Sequence, residues 1–198
     1  MLILAIDTAA GLCAACVHDT QAGERGREVR DIGRGHAEEL MAVIETALAQ
    51  AAVSYGDLDA IAVSVGPGSF TSVRVGVATA RGLALALKIP AIGISTLEAL
   101  AEEAGAGRPV LARIEAGRGQ AYVAAFSAYG ETTLGPAALG VDDADALVRD
   151  AGPDTVIATG QTADIGVYAR LASHRLETGR PVSLPKPLYL REVDARPQ

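Results

Sequence analysis

The chain alternates short, wholly apolar runs with longer segments that are apolar on one face only. Residues 2–6 form the first run and end at Asp7; residues 12–18 form a second, with Gly11 at the turn between them. Runs this short, bounded by turn residues, predict buried strands. Residues 24–30 are polar and predict an edge strand. Over residues 36–52, Leu40, Val43, Ile44, Ala47, Leu48 and Ala51 recur at helical spacing, with Glu38, Glu39 and Glu45 on the other face. That pattern predicts an amphipathic helix, whose acidic first turn suits the positive end of the helix dipole. Residues 59–65 predict a further buried strand, ended by Gly66-Pro67-Gly68. Ser69 or Thr71 can cap a helix over 71–88, which Ile89-Pro90 stops. A short strand at 91–94 and a short helix at 96–103 follow. The glycines of Ala104-Gly105-Ala106-Gly107 then mark a boundary between units 1–103 and 104–198, the last segment being placed to pack back on the first unit.

The second unit repeats the layout of the first. Residues 110–114, Glu115, Gly119 and 121–126 follow the arrangement of 2–6, Asp7, Gly11 and 13–17, the acid and the glycine being four apart in both. A helix at 142–150, a strand at 155–159 and a helix opened by Gly160-Gln161-Thr162 complete the repeat. A hairpin feeding a helix-crossed parallel pair gives a mixed sheet covered by helices. The expected fold is therefore α/β and two-lobed: a duplicated actin-like (ribonuclease H-like) arrangement of mixed sheets flanked by helices.

Composition narrows the functional classes. The 198 residues are 49% hydrophobic but only 4% aromatic, so Ala, Val, Leu and Ile must build the core. A chain of this size buries about 70% of its unfolded surface and needs no metal or disulfide to fold. Net charge is −7 and no run of Lys or Arg occurs, which disfavours tight, direct nucleic-acid binding. Residues 2–6 are too short for a signal peptide, and no apolar stretch approaches the roughly 18 residues of a membrane helix. A cytoplasmic location is expected.

The candidate chemistry is sparse. Cys13 and Cys16 match C-x-x-C, but residues three apart on a strand face opposite sides and cannot share one ion; buried small residues are expected. The histidines His18, His36 and His174 form no zinc pair such as H-E-x-x-H, so neither a metal nor a metallopeptidase activity is expected. Asp7 and Glu115 each end a strand before a tight turn, where an acid can either accept turn N–H groups or help hold a metal-bound phosphate. Gly66 and Gly68 before a helix could present N–H groups to an anion, and with Asp7 and Thr8 they outline a vestigial phosphate site. The turn has no Walker lysine, and no G-x-G-x-x-G follows the first strand. In the helix after it, Ser72, Gly76, Ala80 and Ala84 fall four apart, a small-residue face that another backbone can approach closely. Both an internal packing partner and another molecule fit such a face.

Several of these segments resemble one family. Ile3-Leu4-Ala5-Ile6-Asp7-Thr8, Arg34-Gly35-His36-Ala37-Glu38, Gly66-Pro67-Gly68-Ser69-Phe70-Thr71 and Gly93-Ile94-Ser95-Thr96-Leu97-Glu98-Ala99-Leu100 are similar to stretches of the TsaB (YeaZ) family, and Pro187-Leu188-Tyr189-Leu190-Arg191 resembles its closing motif. The resemblance implies a non-catalytic, cofactor-free subunit that supports formation of threonylcarbamoyladenosine beside the anticodon of tRNA. It further implies docking on the catalytic homologue TsaD, which carries a metal-binding H-x-x-x-H absent here, through the first two helices. The TsaE ATPase acts with them, tRNA is touched only indirectly, and a homodimer can form when the partner is missing. On this sequence the implied interface is His36, Ser72, Arg74, Gly76, Ala80, Arg81 and Ala84. Three stretches depart from the family: Ser72-Val73 where Gly-Leu is common, Ala37 for Ser, and Glu115-Ala116-Gly117 for Asp-Ala-Arg. An enzyme that binds ATP through Asp7 and the Gly66–Gly68 turn is the alternative reading.

Overall fold

The computed structural model describes residues 1–105, 107–179 and 184–190. Strands β1 (Leu2–Asp7), β2 (Leu12–Asp19) and β3 (Gly23–Asp31) form an antiparallel meander, followed by helix α1 (His36–Ala51). Strand β4 (Ala60–Ser64), helix α2 (Phe70–Leu87), strand β5 (Ala91–Ile94) and helix α3 (Thr96–Gly105) come next. β4 pairs parallel to β1, and β5 parallel to β4, giving a sheet of order β3-β2-β1-β4-β5. The second half repeats the plan with β6 (Val110–Glu115), β7 (Gln120–Phe126), β8 (Thr132–Gly140), helix α4 (Val141–Asp150), β9 (Val156–Thr159) and helix α5 (Ile165–Glu177). Its sheet has the order β8-β7-β6-β9, again antiparallel except for the β6–β9 pair. The duplicated α/β fold expected from the pattern is the observed one.

Alternation along β1 divides the first sheet into two cores. Leu4 and Ile6 face α1 and α2, meeting Leu40, Val43, Ile44, Val73 and Val77. Ile3 and Ala5 face the other way, towards α3, α5 and the second sheet's Val110, Ala112 and Ile114. The two inner helices are exchanged between halves. α3, which follows β5 of the first sheet, packs on β6, β7 and β9; α5, which follows β9 of the second, packs on β1 and β2. Arg27 on β3 reinforces the exchange, donating to Asp164 at the start of α5 at 2.6 and 2.9 Å.

Three local features differ from the sequence reading. Gly105 is the last residue of α3, so the helix runs into the glycine segment taken as a boundary; Ala106 of that segment lies outside the described residues, as does Arg191. Ser69 occupies the N-cap position of α2, but its hydroxyl meets Ser72 Oγ at 2.9 Å and caps no backbone N–H. Finally, α2 is 18 residues long with a mean hydropathy of 1.2, enough by length and composition to cross a membrane. Its apolarity comes from Ala, Val, Leu and Gly, and the helix buries Ser72, Val73, Gly76, Val77, Ala80 and Ala84 inside this chain.

Candidate functional site

The turn after β1 is closed by the chain itself. One carboxylate oxygen of Asp7 accepts the Ala9 N–H at 2.9 Å. The other accepts the Thr162 hydroxyl at 2.6 Å, and Thr162 Oγ1 in turn lies 2.7 Å from the Tyr168 hydroxyl. Because Thr162 spends its proton on Asp7, Tyr168 donates in that second bond. Asp7 is 1% exposed, and burial raises its carboxyl above the usual carboxylate range against the opposing pull of these hydrogen bonds. Burial likewise pushes the Tyr168 hydroxyl well up.

The glycine turn is pressed onto the same place. A Cβ on Gly68 would overlap the Ala9 carbonyl, which already accepts the Ser69 N–H at 2.7 Å. Gly66, at φ 89°, directs its carbonyl to the Thr96 N–H at 2.8 Å. Thr8 is buried and donates its hydroxyl to the Ser72 carbonyl at 2.7 Å. Asp7, Thr8, Gly66 and Gly68 are thus brought together, but as a packed junction rather than an open cradle. The Asp7 carboxylate and the Thr8 hydroxyl are taken up by the chain's own Ala9, Thr162 and Ser72, while Gly68 lines the cavity described below.

The small-residue stripe meets an internal packing partner, one of the two readings its spacing allowed. Ser72, Gly76, Ala80 and Ala84 are buried within the chain. A Cβ on Gly76 would lie 2.5 Å from Thr8 Oγ1, so the group making the close approach is the β1–β2 turn. His36 is buried too, its Nε2–H donating to the Leu12 carbonyl at 3.2 Å. Of the interface residues proposed from sequence, Arg74 and Arg81 stand on the outward face of α2. Leu85, 82% exposed, lies one turn beyond Arg81, and Met41 is exposed on the neighbouring α1. Ala78 of α2 and Ala42 of α1 are exposed as well, as are the charged Arg81, Glu38 and Glu45.

A cavity of about 670 Å³ opens between the halves, walled by Pro67, Gly68, Phe70, Glu115, Gln161 and Tyr189 among others. At its mouth the Arg74 guanidinium carbon sits 3.6 Å from the Phe70 ring centroid and 5.3 Å from that of Tyr189. Arg74 Nε also donates to the Tyr189 hydroxyl at 2.7 Å. Asp7 does not reach the cavity wall; its counterpart Glu115 does, and pairs with Arg113 at 2.9 Å.

Cys13 and Cys16 face the two different cores, and burial pushes their thiols up to about 11 and about 12. Among the described residues no group of three or more His, Cys, Asp or Glu side chains is arranged to hold a metal ion. Sequence reasoning missed Thr162 and Tyr168. Thr162 was visible only as part of a helix-opening turn, and nothing local tied it to Asp7.

The arrangement is that of an actin-like protein whose first-lobe acid is sealed. A family model described as "TsaD: tRNA N6-adenosine threonylcarbamoyltransferase" matches residues 29–189. The Escherichia coli tRNA threonylcarbamoyladenosine biosynthesis protein TsaB is 38% identical over 130 residues, 64% of this chain but only 55% of that protein's length. An uncharacterized Mycobacterium tuberculosis protein is 34% identical over 98% of this chain and 94% of its own. Among solved structures, YeaZ from Pseudomonas aeruginosa superimposes with a TM-score of 0.78, covering 96% of this chain and 100% of its own at 24% identity, and so shares the fold. The chain belongs to this threonylcarbamoyltransferase-related family, on its TsaB (YeaZ) branch.

Proposed function

We propose that the chain is a non-catalytic subunit of the complex that forms threonylcarbamoyladenosine on tRNA. In this reading it docks on a TsaD-type catalytic homologue through the outward faces of α1 and α2. The observation that carries the reading is the contrast within α2. Its small face is buried within the chain, with Thr8 against Gly76 and Ser72, while on the opposite face Leu85 and Arg81 are exposed among the described residues and leave apolar surface uncovered. The sealing of Asp7 supports the absence of catalysis, because a metal-bound phosphate could not reach its carboxylate. A net charge of −7 supports contact with tRNA only through the partner. The work is cytoplasmic, the TsaE ATPase is a further member, and the same face makes a homodimer when the partner is absent.

The test is reconstitution of tRNA modification with and without this chain, beside co-purification of TsaD with Leu85→Asp. Loss of modification without the chain, and loss of the partner with the variant, are expected. Full modification in its absence would sink the reading, and unchanged capture by Leu85→Asp would sink the docking face. The cavity of about 670 Å³ favours a second reading, in which the chain binds ATP. Calorimetry with ATP and Mg²⁺ on the isolated chain separates the two: micromolar binding with hydrolysis would favour the enzyme.

A further inference from the structure

The segment 184–190 has no helix or strand of its own, yet it supplies Pro187, Leu188, Tyr189 and Leu190 to the cavity wall. Leu190 packs on the core between the sheets, and among the described residues three further points hold the segment. Pro185 is buried against Gly93 of β5, where a Cβ would come within 3.2 Å of it. The Leu188 N–H donates to the Val65 carbonyl at 2.7 Å, just past the end of β4. Tyr189 accepts from Arg74 and stacks at a 5.4 Å centroid distance and 44° on Phe70. The third point lies in solvent: Tyr189 is 49% and Phe70 45% exposed.

We infer that residues 184–190 form a strap that closes the cavity between the halves, with Arg74–Tyr189 as its latch. A segment with no helix or strand of its own, pinned at Pro185 and latched at its other end by a half-exposed side-chain cluster, belongs to the low-stability end of a fold, where opening is local. The latch residue Arg74 sits on α2, two turns before Arg81, so the helix that carries the outward face also carries the catch. The inference stands whether or not that face docks on a partner.

Hydrogen exchange on the full chain tests it. The Leu188 amide should exchange at least tenfold faster than that of Ile61, which donates to the Pro90 carbonyl inside the sheet. Arg74→Ala or Tyr189→Ala should speed Leu188 about tenfold further and leave Ile61 unchanged. Arg81→Ala, also exposed on the same helix, should do neither. Equal rates for Leu188 and Ile61, or no response to the latch variants, would overturn the strap. Access to the cavity is the second readout. Val73 lines the cavity and is buried; Val73→Cys should react with a maleimide about tenfold faster when Arg74→Ala is added. No acceleration would show that the segment does not control the cavity.

Discussion

Asp7 and Glu115 hold the same place in two copies of one plan, each at the end of the strand that leads its hairpin, and their surroundings are opposite. Asp7 is 1% exposed and bonded to Ala9 and Thr162; the Glu115 side chain is 68% exposed and shares Arg113 with Asp145. The difference arises from what covers each turn. Over β1 lie α2, the Gly66–Gly68 turn and the exchanged segment leading into α5. Among the described residues the outer face of the second sheet is covered by α4, over a small core centred on Ala121, Val123 and Ala144. Repeating a pattern of strands therefore does not repeat a chemical environment. In the first copy the acid is part of a packed joint.

The largest test of this contrast compares the two glycine turns. Gly68→Ala drives a Cβ into the Ala9 backbone and should cost about 3 kcal/mol, a fall in Tm of roughly 6–12 °C. Gly160→Ala, whose Cβ would meet the movable Leu100 Cδ2 at 3.1 Å and the Thr162 carbonyl at an ordinary 3.5 Å, should cost under about 1.5 kcal/mol by thermal melting. Equal losses would erase the contrast. Tyr168→Phe deletes the donor behind Thr162 and should cost about 1–2 kcal/mol, a Tm shift of roughly 2–8 °C.

Asp7→Asn sharpens the comparison through pH. Since the Asp7 carboxyl is raised above its unfolded value, the stability tied to its neutral form is present below the usual carboxylate range. It is lost as pH rises through the raised value. Denaturant unfolding at stepped pH should show that loss in the parent chain and its absence in Asp7→Asn. The smallest effect is expected at Glu115→Gln. An exposed ion pair contributes about 0–1 kcal/mol and less in salt, so its unfolding midpoint should move little and without the pH trend.

The strands and the amphipathic helices are legible because a run such as residues 2–6, or the spacing of Leu40, Val43, Ile44 and Ala47, encodes which positions avoid water. The internal repeat follows from the same information. What the pattern does not encode is the identity of the group that arrives. Spacing puts Ser72, Gly76, Ala80 and Ala84 on one face, but only the fold brings Thr8 against it. It marks Asp7 as a strand-ending acid, but the hydroxyl that meets it comes from 155 residues away. The exchange of α3 and α5 is invisible for the same reason, since either sheet offers each helix a suitable apolar surface. Arg74 was readable as an outward residue; its catch on Tyr189 was not, because the partner sits in a segment with no periodic signal.

The exchange also bears on how the chain is made. The inner face of β1 and β2 is covered by α5, which ends at Glu177. During synthesis those strands leave the ribosome well before the helix that shields them. At about 5–20 residues per second, the nascent protein carries an open apolar surface for roughly 10–30 s. Ile3, Ala5 and Cys16 are then the residues a cellular chaperone would find first.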